Sequence, residues 1–246
     1  MLKELEDYTW FPAMLRRWQM DFIGNMVIWT KLYQPLQPVM EELIHVNKIR
    51  SIQDTCSGSG LPALSLHGKL NAEIPLLLTD KYPPAVFKKN ELVEYAVQAA
   101  DIFALQPAGD TLYTMFNSFH HFSDEQQNEI VRNFSNNRAP FLVAEILEPG
   151  IGEGIKIFFT TTIGQLITAP FVQPFSLVRL FFTYILPVNL FTVAWDGIIS
   201  VIKSKTAGQY RQQLDGISTP SFMISVHQLN NWKGNLVYIK GTPIHT

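Results

Sequence analysis

Apolar residues near the start of the chain recur at three- and four-residue spacing: Trp10, Phe11, Met14, Leu15, Trp18, Phe22 and Met26. That period marks one face of a helix. Pro35 and Pro38 interrupt it, and Val39, Met40, Leu43 and Ile44 resume it. From Ile49 onward the pattern changes to short apolar runs that end in polar turns. Ile49 and Ile52 lead to Asp54, residues 76–78 lead to Asp80, and residues 92–97 alternate. Two further runs cover 110–116 and 139–148, the second ending in carboxylates. Runs this short, bounded by turn residues, predict strands of a buried, mostly parallel sheet with helices between them. Ser123 and Gln126 have capping-box spacing and open one of those helices. Near the end, residues 222–228 and 236–239 flank the turn-forming stretch 230–235, which predicts an antiparallel hairpin. Alternating strands and helices closed by a hairpin define an α/β fold.

Residues 151–206 break this rhythm. Gly150, Gly152 and Gly154 suggest a flexible exit from the fifth strand. No charge occurs from Ile157 to Val178 or from Leu180 to Trp195, and Arg179 sits between the two runs. The first run is long enough to span a bilayer. Pro170, Pro174 and Pro187 interrupt it and its successor, and Thr160–Thr162 with Gln165 and Gln173 add polarity. Topology weighs more: the terminal hairpin must rejoin the same sheet, so a single span is forbidden, and the second run is short for a return span. The expectation is a helical cap with an apolar inner face, and a peripheral membrane contact is its variant. A packing insertion without any ligand is the alternative. The expected organisation is a helical segment over 1–48, a sheet core over 49–150 and 207–246, and a hydrophobic helical cap over 151–206.

Composition narrows the function classes. The 246 residues carry a net charge of −2, with 16% charged and 47% hydrophobic residues. Charged residues usually make up about a quarter, so the chain is greasy. It lacks the basic excess that nucleic-acid binding needs. One cysteine forms no intrachain disulfide and no cysteine-based metal site. The charged opening from Met1 to Asp7 shows no signal-peptide pattern, and a cytoplasmic location is expected.

The chemistry concentrates after the first predicted strand, in Asp54-Thr55-Cys56-Ser57-Gly58-Ser59-Gly60, where a helix starts at once. Two glycines one residue apart allow a sharp turn without side chains between backbone and ligand. The helix directs unpaired N–H groups to the same place. Asp80 lies twenty residues beyond Gly60, at the end of the second strand. An acidic residue there binds ribose hydroxyls in doubly wound folds. A dinucleotide fingerprint needs a third glycine, which Leu61-Pro62-Ala63 does not supply.

The acidic residue before the glycines resembles the first motif of class I S-adenosylmethionine-dependent methyltransferases, acidic-x-G-x-G-x-G. Asp54, Gly58 and Gly60 fall on its acidic, second and third glycine positions, and Cys56 replaces the first glycine. The resemblance expects an extended backbone at residue 56, because only a positive φ demands glycine. It covers about residues 48–150 by motif and the last forty by architecture. It implies a Rossmann-like methyltransferase sheet with N-terminal helices over the cofactor pocket, where Tyr33 and Trp29 would line a lid.

By the same resemblance, Asp54, Cys56, Ser57, Gly58, Gly60, Asp80, Lys81, Asp101, Ile102 and Asn117 are the cofactor-binding candidates. Asp101 would meet the adenine amino group, although a turn or helix-cap role explains it as well. Lys81 departs from the apolar residue expected there, leaving Tyr82 or Ile102 to pack on adenine. The block from Asn117 through His120 and His121 to Phe122 resembles the fourth motif of small-molecule members. Either histidine is a candidate base, since imidazole titrates near neutrality. The bland alternative has one histidine packed and the other solvated. Arg179, Tyr184 and Asp196 stand out against the apolar segment as candidates to orient a substrate, with Tyr33. The expected function is methyl transfer from S-adenosylmethionine to a small, largely apolar acceptor, with no metal. The alternatives are a catalytically silent cofactor-binding or membrane-associated interaction protein, and a nicotinamide-binding oxidoreductase.

Overall fold

The computed structural model describes residues 2–84, 87, 90–231 and 234–244. Seven strands form one sheet: β1 (Ser51–Thr55), β2 (Leu76–Thr79), β3 (Val93–Tyr95), β4 (Thr111–Phe116), β5 (Phe141–Glu145), β6 (Phe222–Asn231) and β7 (Gly234–Pro243). Their order is β3-β2-β1-β4-β5-β7-β6. The first five run parallel; β7 enters antiparallel to β5, and β6 pairs antiparallel with β7. This is the mostly parallel, Rossmann-like sheet with a terminal antiparallel hairpin that the sequence predicts. The predicted hairpin is present, while its tip at Trp232 and Lys233 lies outside the described residues.

Each face of the sheet buries an apolar layer. On one side, α2 (Gln37–Val46) sets Met40, Leu43 and Ile44 against Ile52, Leu76, Leu78 and Leu112, with Pro38 in its first turn where no N–H is needed. On the other, α4 (Asp124–Asn136) and α9 (Ala207–Leu214) bring Ile130, Phe134 and Tyr210 against Tyr113, Phe141 and Phe222. The predicted capping box closes the start of α4: Ser123 Oγ accepts from Gln126 N–H, and the Gln126 side chain answers on Ser123 N–H. Gly241 on β7 faces Phe141 and Phe222, where a Cβ would lie 2.6 Å from Phe141 Cδ1 and 2.7 Å from Phe222 Cε1.

A helical layer crosses one end of the sheet. It consists of α1 (Ala13–Thr30), α5 (Ile151–Phe159), a π turn (Thr160–Gly164), α6 (Gln165–Thr168), α7 (Leu177–Tyr184) and α8 (Val188–Lys203). The expected apolar face of α1 is only partly realised. Phe11, Leu15, Trp18 and Phe22 are buried, but Trp10 and Met14 are exposed. Trp10 precedes the helix, and the buried side of α1 instead carries polar groups: Arg16, Gln19, Asp21 and Asn25. The glycine exit also differs from expectation. Helix α5 starts at Ile151, so Gly152 and Gly154 lie inside it and only Gly150 precedes it.

Candidate functional site

The turn after β1 is tighter than the sequence suggests. Cys56, Gly58 and Gly60 all take positive φ, at 54°, 53° and 73°. Cys56 is therefore left-handed and not extended, and it bears a conformation that costs a non-glycine residue about 1–2 kcal/mol. Its thiol is shielded and faces Asp80 and Asp54, and burial with these charges keeps it protonated. Gly60 caps the seven-residue α3 (Leu61–His67), and a methyl group on it would meet Leu78. Helix α1 closes over the turn: Met20 lies against Gly58, and a methyl on Gly24 would collide with the Ser59 hydroxyl.

Asp80 joins this turn directly. Its Oδ2 accepts the Gly58 N–H at 2.8 Å and its Oδ1 accepts the Tyr82 N–H at 2.7 Å. Tyr95 donates its hydroxyl to the Gly58 carbonyl at 2.8 Å. Behind the turn, Asp54 is buried at the end of β1 and accepts the Thr114 hydroxyl at 2.6 Å. Burial, with the nearby Asp80 charge, pushes its carboxyl up to about 7 against the hydrogen bonds from Thr114 and Ser57. Ser57 Oγ ties the two strand ends together, donating to the Asp54 carbonyl at 2.9 Å and accepting Thr79 N–H at 3.2 Å.

The remaining cofactor candidates border this centre unevenly. Cys56, Asp101 and Ile102 line a cavity of about 20 Å³ with Gln53, Thr55 and Leu105. That is room for about one water molecule. Asp101 is exposed and accepts the Phe103 N–H at 3.0 Å, capping a short turn. Lys81 is exposed beside the Tyr82 ring, and Tyr82 carries the Arg16 guanidinium 3.9 Å from its ring centre. Asn117, also at positive φ, accepts the Ile146 N–H at 3.5 Å. An open groove of about 360 Å³ beside α4 shares Ile102 and Leu105 with the small cavity.

The glycine turn and the Asp80 carboxylate thus meet at adjacent strand ends. In the conformation seen these groups hold each other. Each Asp80 oxygen accepts one of the chain's own amides and the side chain is buried, so a ribose reaches its remaining lone pairs only if the turn opens.

The histidine pair belongs to a second, buried cluster. His120 is fully enclosed, with Nδ1 2.6 Å from Glu145 Oε2, while Glu145 Oε1 accepts the Phe119 N–H at 2.7 Å. His120 Nε2 has no hydrogen-bond partner and faces Glu4 Oε1 at 3.8 Å. His121 pairs through Nδ1 with Asp7 at 3.0 Å and through Nε2 with Glu4 at 3.4 Å. Burial opposes the His121 imidazolium, but Glu4, Asp7 and Glu6 outweigh it and raise its pKa to about 10. The ligand atoms of Glu4, His120 and His121 lie within 4.8 Å of one another, close enough to share a cation. The ammonium of Lys203 already sits there, 2.9 Å from Glu4 and 3.5 Å from Asp7.

The four substrate candidates do not converge. Asp196 anchors the N-terminal segment, accepting N–H groups from Leu5 at 2.5 Å and Glu6 at 3.2 Å and the Gln19 amide at 2.8 Å. Arg179 is buried, 3.5 Å from Asp21, and donates to the Val172 carbonyl at 2.6 Å. Tyr184 donates to the Leu166 carbonyl on the exposed side of the helical layer. Tyr33 packs in the core, its ring centre 5.0 Å from that of Phe116. Sequence reasoning missed Glu4, Asp7 and Glu145 as the partners of the histidines, and Lys203 as the partner of Glu4 and Asp7 beside them. Only Glu145 carried a signal, as a carboxylate at the end of a buried strand.

No family model matches the sequence, and no curated protein matches it. Solved structures do match. Human N-acetylserotonin methyltransferase, crystallised with S-adenosylmethionine, is 14% identical over 87% of this chain and 53% of its own, with a TM-score of 0.47. The protein LaPhzM is 15% identical over 88% of this chain and 56% of its own, at 0.48. Mitomycin 7-O-methyltransferase MmcR is 12% identical over 95% and 69%, at 0.47. The chain spans about half the length of the first two. At these identities and scores the likeness assigns neither substrate nor chemistry to this chain.

Proposed function

We propose that the protein binds S-adenosylmethionine across the carboxyl ends of β1, β2 and β3 and transfers its methyl group to a small, largely apolar acceptor. The observation that carries this reading is the meeting of the Gly58 turn and Asp80 beside β1, next to the place where the sheet order reverses. Open α/β sheets bind ligands at that crevice. The sulfonium brings an already activated methyl group, so the protein has to align the acceptor and exclude water. Alignment of that kind can lower a barrier by roughly 7–11 kcal/mol.

In this reading Asp80 exchanges its bond to the Gly58 N–H for ribose hydroxyls, and the glycine turn moves off the carboxylate. Asp101, at the rim of the small cavity, is the group offered to the adenine. Glu145 engages His120 through Nδ1 and leaves Nε2 as the ring nitrogen that can face an acceptor. His120 serves as a base only once Glu4 and the N-terminal segment swing away from it. Residues 151–206 act with α1 and the segment before it as one cover over the sheet, whose core includes α2 from the 1–48 segment, and the protein works in the cytoplasm.

A second reading has a specific observation in its favour. The enclosure of His120 and the closure of the turn suit a cofactor-binding protein without turnover. Calorimetric titration with S-adenosylmethionine and with NAD tests the cofactor, and transfer of a labelled methyl group to lipids and small aromatics tests turnover. The proposal expects saturable binding of the sulfonium alone and measurable transfer. Binding without transfer to any acceptor favours the silent protein, and binding of NAD alone favours an oxidoreductase.

A further inference from the structure

Most of the large apolar side chains exposed among the described residues lie between residues 151 and 202. Ile151, Ile167, Phe171, Leu177, Ile185 and Phe191 are 65–86% exposed. Helix α5 has no fully buried residue, although five of its nine positions are isoleucine or phenylalanine. Surfaces of this kind mark a partner.

Three features identify the partner's chemistry. First, the hydroxyls on this layer turn back onto their own helices. Thr160, Thr162 and Thr168, the partly exposed ones, donate to carbonyls four residues earlier. A polar group satisfied in this way needs no water, which is the condition hydrocarbon imposes. Secondly, the exposed charges of the layer are basic. Lys3, Arg17, Lys31 and Lys156 are exposed, whereas Glu4, Asp21 and Asp196 are buried. Glu6 and Asp7 are half-buried against His121, and Glu153 pairs with Lys156 at 2.6 Å. Thirdly, no single helix among the described residues is long and apolar enough to cross a membrane; α7 and α8 reach that length and composition only together, and they meet at a bend of 77°. Helices that are apolar on one face and carry lysine and arginine on the other lie in an interface.

We infer that the layer of α1 and α5–α8 docks, without crossing, on an anionic lipid bilayer. A second copy of the chain is the competing occupant, and pairing this face with itself would bring two basic rims into one interface. The inference is independent of the methyltransferase reading, because docking requires no cofactor.

The test uses the full-length protein with vesicles of phosphatidylcholine alone or mixed with phosphatidylglycerol, read by co-sedimentation and by emission of the exposed Trp10, Trp29 and Trp195. The expected result is binding to the mixed vesicles with a blue shift. The Arg17→Gln and Lys31→Gln variants should each bind them about fivefold more weakly. An Ile167→Ser, Phe171→Ser, Leu177→Ser variant should lose binding while keeping the wild-type unfolding midpoint, since all three side chains are exposed. Absence of binding to either vesicle overturns the inference. So does a stable dimer in vesicle-free buffer that the triple serine variant converts to monomer.

Discussion

The Gly58 backbone N–H donates to Oδ2 of Asp80 at 2.8 Å, so the turn after β1 and the carboxylate after β2 latch one another. The Gly58 N–H is not free for a ligand while the latch is closed, and the Asp80 carboxylate stays buried behind it. Asp80→Ala leaves the amides of Gly58 and Tyr82 without their acceptor. Each unsatisfied buried donor costs about 1–3 kcal/mol. Urea unfolding should show a loss in that range, and nucleoside affinity should fall by a comparable amount through the lost ribose contacts. Unchanged affinity removes Asp80 from the site.

Asp196 holds the N-terminal segment that encloses His120. In Asp196→Ala the N–H groups of Leu5 and Glu6 lose their acceptor, and Glu4 is left with Lys203, Ser200 and the histidines. Hydrogen exchange at Leu5 and Glu6 should speed up by about one to two orders of magnitude, in line with a lost bond of roughly 1–3 kcal/mol. Protection equal to the wild type at both amides contradicts this role.

Stability should fall as pH rises from about 4 to 7. Burial raises the Asp54 carboxyl to about 7, above its unfolded value of about 3.9, so the folded state binds the extra proton in that window. The contribution is complete below the unfolded value and is lost as pH rises through the folded one, at about 1.4 kcal/mol per unit. Asp196 and Asp21, each raised to about 6 by burial, act in the same direction. Urea unfolding at several pH values should show a shallower decline for Asp54→Asn than for the wild type. Equal slopes contradict the assignment to Asp54.

Gly241→Ala tests the join between the parallel strands and the hairpin. The added methyl meets Phe141 and Phe222, both fully buried, and overpacking of that kind costs about 1–3 kcal/mol. A thermal midpoint equal to the wild type shows that the rings yield without cost.

The sheet was legible because its strands are short apolar runs ending in turn residues, and the capping box at Ser123 and Gln126 formed as its spacing predicts. The glycine turn and Asp80 were legible as neighbours, since both lie at strand ends whose order the motif implies. Their mutual hydrogen bond was not, because it depends on a backbone rotation at Cys56 that the side chain alone does not reveal. The environment of His120 was equally hidden. Glu4, Glu145 and Lys203 are distant in sequence from each other and meet only after α8 folds over the N-terminal segment. Polar residues that stood out in an apolar stretch, Arg179 and Asp196, proved to be tied to α1 and to the N-terminal segment by contacts that no periodicity encodes.

Soaking a crystal with S-adenosylmethionine decides whether the Gly58 turn and Asp80 form a nucleoside site. Nucleoside density is expected on the Asp80 carboxylate, with the Gly58 N–H withdrawn from it and the small cavity beside Asp101 enlarged. A Gly58–Asp80 bond intact under saturating ligand, or density bound elsewhere on the chain, contradicts it.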